Sequence, residues 1–165
     1  MNWIGRKVTG QHSGILKLSE GSIILENSTI NSGLLVFDMK TIQTTDIESI
    51  GGRRSLDSHL MNEDFFFVDS FPKAYLTIKK SSLINLHLVN PTNFITADLT
   101  IRGITNEISF PISIVKSESS YSASGTIDVD RTLYNIRYKS NKFFSGLGDR
   151  IIYDNFTVQF EVKAD

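Results

Sequence analysis

Few side chains in this chain have both the type and the spacing to do chemistry. Ser55, Asp57 and His59 stand close together, and a nucleophile, a base and an orienting acid are what a serine hydrolase needs. On a helix that spacing sends the three side chains in different directions, so they form no relay. His12, His59 and His87 are far apart, and no His-x-x-x-His or clustered carboxylates offer a metal site. Asp128 and Asp130 project from one face of a strand but lack the glycine and terminal glutamate of a calcium loop. There is no cysteine, which removes disulfides, thiolate metal sites and thiol nucleophiles. The expectation is a non-enzyme with no catalytic residues, no metal and no cofactor. Arg53 and Arg54 are open to two readings: bidentate donors for an anionic headgroup such as phosphate, or solvated surface arginines. His59 is open in the same way, as a headgroup contact or a solvated side chain.

The elements that would hold these residues are mostly strands. The exception is Ser55–Ala74, where Leu56 and Leu60, then Met61 and Phe65, fall four apart on one apolar helical face. The reading is one short helix near Arg53–Phe65, entered through Gly51-Gly52 and stopped by the phenylalanine run and Phe71-Pro72. A lone short helix is marginal in water and must pack on something larger. Elsewhere the chain alternates. Leu35, Phe37 and Met39 oppose Asp38, and Leu76 and Ile78 oppose Thr77 and Lys79. Leu99 and Ile101 oppose Thr100 and Arg102, and Ile108, Phe110 and Ile112 oppose Ser109 and Pro111. Ile127 and Val129 oppose Asp128 and Asp130, and Phe156, Val158 and Phe160 oppose Thr157 and Gln159. A first strand is expected over Ile4–His12, and Ile84, Leu86 and Leu88 oppose Asn85 and His87. Turns are expected at Glu20-Gly21, Ser28–Ser32, Asn90–Asn93 and Ser117–Ser120. Alternation this strict gives each strand one wet and one dry face, the mark of an antiparallel sandwich or barrel. Pro111 has no amide proton and belongs at an edge or bulge.

Bulk numbers agree. The 165 residues are 40% apolar and 21% charged with net charge -1, so one domain over 1–165 is expected. The charge provides no field for nucleic acid or an anionic membrane, and Lys and Arg are scattered along the chain. No window approaches the ~18 apolar residues of a membrane span, and the N-terminus reads as strand, without the apolar region of a signal peptide.

Several of these segments together resemble the YceI-like family, the polyisoprenoid-binding proteins of bacteria. The match runs from His12-Ser13 through Gly33–Met39, His59-Leu60, Asp64–Phe66 and Phe71–Ala74. Its most specific parts are Asp98–Thr105 and Asp128–Ile136, and it departs at Arg102, where the family motif commonly has His. The resemblance implies an elongated, antiparallel, lipocalin-like β-barrel of about eight strands, a bound isoprenoid or fatty lipid, and a periplasmic or secreted address. A cytoplasmic address is the alternative, since this chain shows no signal peptide of its own.

In such a barrel the dry rows would form an apolar tunnel: Leu35, Phe37, Leu76, Ile78, Leu99, Ile101, Ile108, Phe110, Ile112, Ile127, Val129, Phe156, Val158 and Phe160. Leu56, His59, Leu60, Phe65 and Phe66 would frame its mouth. Burying ~10 methylenes at ~0.8 kcal/mol each gives about 8 kcal/mol before association costs. The leading expectation is storage or transport of a long-chain amphiphile, whether polyisoprenoid, quinone-like or fatty acyl. Two alternatives stand beside it: a filled barrel acting as a protein-interaction module, and a small lipid-acting hydrolase or isomerase. The expected partner is a hydrophobic small molecule or lipid, with a homodimer as a further option where strand edges need cover.

Overall fold

Alternating apolar rows become a single curved sheet that closes on itself. A computed structural model describes residues 1–26, 29–81, 92–116 and 120–164. Eight strands run β1 Asn2–Lys7, β2 Gly10–Glu26, β3 Thr29–Thr44, β4 Lys73–Ser81, β5 Thr92–Ile101, β6 Ile104–Lys116, β7 Tyr121–Asp130 and β8 Ile152–Ala164. Each pairs antiparallel with its sequence neighbours, and β1 pairs with β8 to close the barrel. Closure removes free sheet edges along the paired stretches. One helix, α1 Ile50–Met61, and the irregular segment from Arg131 to Ile151 lie at the end where β3, β5 and β7 finish, here called the upper end.

The core sits inside the ring. Ile95, Ala97, Leu99 and Ile101 of β5 are all buried, as are Phe110, Ile112 and Ile114 of β6, while residues between them reach solvent. Arg102 (φ 51°) and Gly103 (φ 71°) make the two-residue turn between β5 and β6, and left-handed backbone at both positions matches the twist of an antiparallel hairpin. Pro111 lies one residue past the last β6–β7 register pair, Ile112↔Gly125, so its missing donor falls where that ladder ends.

Several boundaries differ from the sequence reading. Glu20-Gly21 is not a turn: β2 continues through it for 17 residues, absorbing the local irregularity as register shifts against β3. The first strand ends at Lys7, before His12. The helix starts earlier than Arg53, because the Ser49 side chain accepts the Gly52 amide at 3.1 Å and so caps it. It also stops earlier, at Met61, so Phe65 belongs to the turns that follow. Thr29–Ser32 is strand, and so are Thr92 and Asn93, half of the expected turn. Asn90 and Pro91, the strand expected at Ile84–Leu88 with His87, and residues 117–119 lie outside the described residues.

Candidate functional site

The inward rows do not meet. They enclose a cavity of about 170 Å³, counted as room for the centres of water-sized spheres, where a single water needs roughly 10–15 Å³. The barrel is therefore hollow, which removes the premise of a filled barrel. Leu35 and Phe37 of β3, Leu76 and Ile78 of β4, and Leu99 and Ile101 of β5 line it. So do Phe110 and Ile112 of β6, Ile127 and Val129 of β7, and Phe156, Val158 and Phe160 of β8. Ile108 does not. It packs half-buried against the core in the part of β6 that has no β7 partner.

Alternation left part of the wall unnamed. Trp3, Leu16, Met39, Ile42, Ile95 and Val162 also line the cavity. Trp3 was hidden because its strand is short and glycine-rich. The indole lies where a Cβ on Gly14 would collide with it and with the Gln43 carbonyl, so Gly14 is the complement of a bulky ring in the wall.

The upper end is closed by aromatic and cationic side chains. Leu60, Phe65 and Phe66 line the cavity there, while Leu56 and His59 do not. His59 is held edge-on between Phe65 (5.0 Å) and Tyr138 (4.7 Å), with Nε2 3.2 Å from an Asp64 carboxylate oxygen. It fastens α1 to the segment after β7. Ser55 and His59 make no relay: Asp57 accepts the Thr44 amide at 2.7 Å instead. Arg53 and Arg54 lie outside the lining, and with the helix beginning at Ile50 they stand past its first three residues.

Among the described residues the one deeply buried cation on the cavity wall is Arg131, 3% exposed. It donates to the carbonyls of Tyr153 (3.1 Å), Ile136 (2.9 Å) and Ile152 (3.0 Å) and lies 3.6 Å from Asp154. Its acid partner is therefore Asp154. Burial pushes the guanidinium below its ordinary value, with Asp154 and Asp130 opposing. Next to it Asp130 caps the 3-10 turn Arg131–Tyr134 through the Thr132 amide and receives Lys142 at 2.7 Å. Burial works to raise the Asp130 carboxyl, but the bonds from Lys142 and Thr132 outweigh it and hold the pKa below the ordinary value. This network ties the upper cap to β8.

The exposed members of the lining fall in two groups. Leu18 and Ile23, on the part of β2 beyond its pairing with β1, form one. The other lies between β1 and β8. Register there jumps from Gly5↔Phe156 to Lys7↔Ile152, so Arg6 alone faces Tyr153, Asp154 and Asn155. Gly5, Arg6, Tyr153 and Asn155 all border the cavity at this bulge, and a Cβ on Gly5 would touch nothing within 4 Å. A bulge with a bare glycine beside it makes a window in the wall. Arg6 is fixed at its rim by a 2.8 Å bond to Thr157, which donates to Asp128.

A closed eight-stranded antiparallel ring, hollow along an apolar axis and capped at one end, defines a lipocalin-like β-barrel. Within that class the chain belongs to the YceI-like domain family, which matches residues 2–164. Among solved structures it is similar to Burkholderia cenocepacia BcnA, with TM-score 0.74 and 16% identity over 99% of this chain and 94% of that one. It is also similar to a polyisoprenoid binding domain from Saccharophagus degradans implicated in plant cell wall breakdown (TM-score 0.66, 13% identity, 98% and 90% covered). The Campylobacter jejuni YCEI protein follows, with TM-score 0.64, 19% identity, and 91% and 83% covered. At these identities the likeness speaks for the fold. No curated protein matches the chain in sequence.

Proposed function

We propose that this protein binds a long-chain amphiphilic lipid in the barrel and stores or carries it without transforming it. The observation that carries this reading is the hollow, almost wholly apolar cavity. A chain-like ligand gains by leaving water and by dispersion against close walls, and it needs no hydrogen bond along its length. Membership of the YceI-like family and the polyisoprenoid-binding neighbour favour a prenyl chain over other amphiphiles, with quinone-like and fatty acyl ligands in the same class. Carriage without catalysis is favoured by the two cations on the cavity wall, since Arg6 is engaged at the rim and Arg131 in the cap. The family also favours a periplasmic or secreted setting.

Native mass spectrometry of the purified protein tests the proposal. A stoichiometric long-chain lipid, or uptake of one equivalent of a prenol by extracted protein, is expected. A protein that leaves its host empty and takes up neither a prenol nor a fatty acid would sink it. Hydrolysis of a lipid ester lost on a single Ser or His change would replace carriage with catalysis. As a check on the wall, Phe110→Asp should abolish uptake while the barrel remains folded.

A further inference from the structure

The segment between β7 and β8 carries a feature that neither the cavity nor its cap uses. Phe143 and Phe144 are consecutive and 43% and 49% exposed. Both amides return to the carbonyl of Ser140, at 3.2 and 3.0 Å, and the Lys142 amide bonds the Ser140 hydroxyl. Ser140 is fully buried, so this is a turn anchored at its base with two aromatic rings driven outward. Exposed phenylalanines cost solvation, and two side by side on an anchored turn are a contact surface without its partner.

The charges around the rings say which partner. Between Arg137 and Arg150 there are four cations (Arg137, Lys139, Lys142, Arg150) and one acid (Asp149), a local excess of 4 − 1 = +3 on a chain of net charge -1. Lys142 is engaged by Asp130 and Asp154, which leaves the other three against Asp149. Arg137 lies 4.6 Å above the Phe143 ring, a pairing that holds aromatic and cation at one level. Aromatic tips set among cations suit the boundary of an anionic bilayer, where rings enter the headgroup layer and cations meet lipid phosphates. Among the described residues no helix is long and apolar enough to cross a membrane, so such a contact would be peripheral.

The turn is also continuous with the wall window. Ile152 of β8 donates to the Lys139 carbonyl at 3.0 Å, and Lys142 reaches Asp154 at 3.6 Å inside the bulge. We propose that the Ser140–Phe144 turn docks this barrel on an anionic lipid bilayer, with the β1–β8 window held near the surface. The docking rests on the turn alone. That the window faces the bilayer to exchange lipid rests on the lipid-binding reading.

The test is flotation of the whole chain with vesicles of phosphatidylcholine alone or mixed with phosphatidylglycerol, beside the Phe143→Ser/Phe144→Ser double variant. Both phenylalanines lie outside the cavity lining, so an unchanged urea midpoint certifies the fold of the variant without reference to any ligand. Binding to the mixed vesicles that salt weakens, and that the double variant reduces by about tenfold or more, is the expected result. Absence of binding to mixed vesicles, or equal binding by the variant, would overturn the docking. So would a dimer or a protein complex dissolved by the same substitutions, because the rings would then be covered by protein. Uptake of a fluorescent prenol, followed separately, decides the cavity reading: docking without uptake sinks that reading and leaves the membrane contact standing.

Discussion

Two seams of this barrel lose strand pairing near the same end, and the chain treats them in opposite ways. Between β6 and β7 register stops at Ile112↔Gly125, leaving Ile104–Pro111 and Thr126–Asp130 without partners across the gap. The 3-10 turn after β7 packs against both β6 and β8 there, and Tyr134 and Ile136 are only 1% and 0% exposed. Between β1 and β8 the ladder is broken by a bulge, and the side facing the gap is a glycine. One seam is stuffed with an aromatic ring and the other is left bare. A closed barrel needs the first to stay intact, while on the proposed lipid-binding reading the second is the place where a ligand would enter.

The sharpest way to break the contrast is to remove what holds the stuffing. Arg131→Met deletes a buried cation that serves three carbonyls and faces Asp154. We expect a loss of about 3–5 kcal/mol in urea unfolding, the range for breaking a buried charge pair from one side. A loss below about 1 kcal/mol would mean the cap closes without its clamp.

Gly125→Ala acts on the filled seam from the other side. Its Cβ would lie 2.7 Å from the Phe160 ring and 2.9 Å from the Pro111 carbonyl oxygen, and the carbonyl is backbone that cannot swing away. The expected cost is about 1–3 kcal/mol, as for overpacking a tight core, read as a lower urea midpoint with unchanged m.

Which of these features the sequence could disclose follows from periodicity. Period-two alternation named most of the wall because β4, β5 and β8 run with little or no interruption through the rows that matter, and Phe156, Val158 and Phe160 illustrate it. It failed where register shifts. Glu20-Gly21 looked like a turn because glycine after a charged residue usually marks one, yet here it lies within a long strand whose ladder jogs. Trp3 was obscured by a short strand, and the window at Gly5 could not be foreseen at all, since a bulge is a property of two strands and not of either one. Ser49 has the residue type of a helix cap, but the two glycines after it give the stronger local signal for a flexible entry. The Arg131 clamp needed three carbonyls from distant residues, which no local pattern contains.

Tyr134 offers a gentler probe of the stuffed seam. Its hydroxyl is buried with no partner in good hydrogen-bond geometry, and burial pushes the phenol up to about 12 from 10.0 against a lowering interaction with the nearby Asn106 side chain. A folded pKa above the unfolded one means the contribution is fully present below pH 10.0 and is lost as pH rises toward about 12. Stability of the native protein should therefore fall across that window. Tyr134→Phe should remove this phenol's share of the decline and, by sparing an unsatisfied hydroxyl its desolvation, change stability near neutrality by no more than about 1 kcal/mol, in the stabilising direction. A clear destabilisation at neutral pH would reveal a partner for the hydroxyl and place Tyr134 in a polar network.

The smallest expected change in stability belongs to the open seam. Gly5 has negative φ, so it needs no glycine for its backbone, and an added Cβ meets nothing within 4 Å. Gly5→Val should leave the urea midpoint unchanged or raise stability by up to about 1 kcal/mol, because a β-branched residue loses less freedom in a strand than glycine does. The same methyl groups would stand in the window between Arg6 and Asn155. If lipid passes there, exchange of a bound fluorescent prenol should slow several-fold in both directions while its equilibrium affinity stays close to that of the native protein, since a gate alters both rates alike. Altered affinity with unaltered rates would place the valine against the bound ligand and move the route of passage elsewhere, to the exposed edge at Leu18 and Ile23. Equal rates and equal affinity would make the bulge a structural irregularity with no part in access.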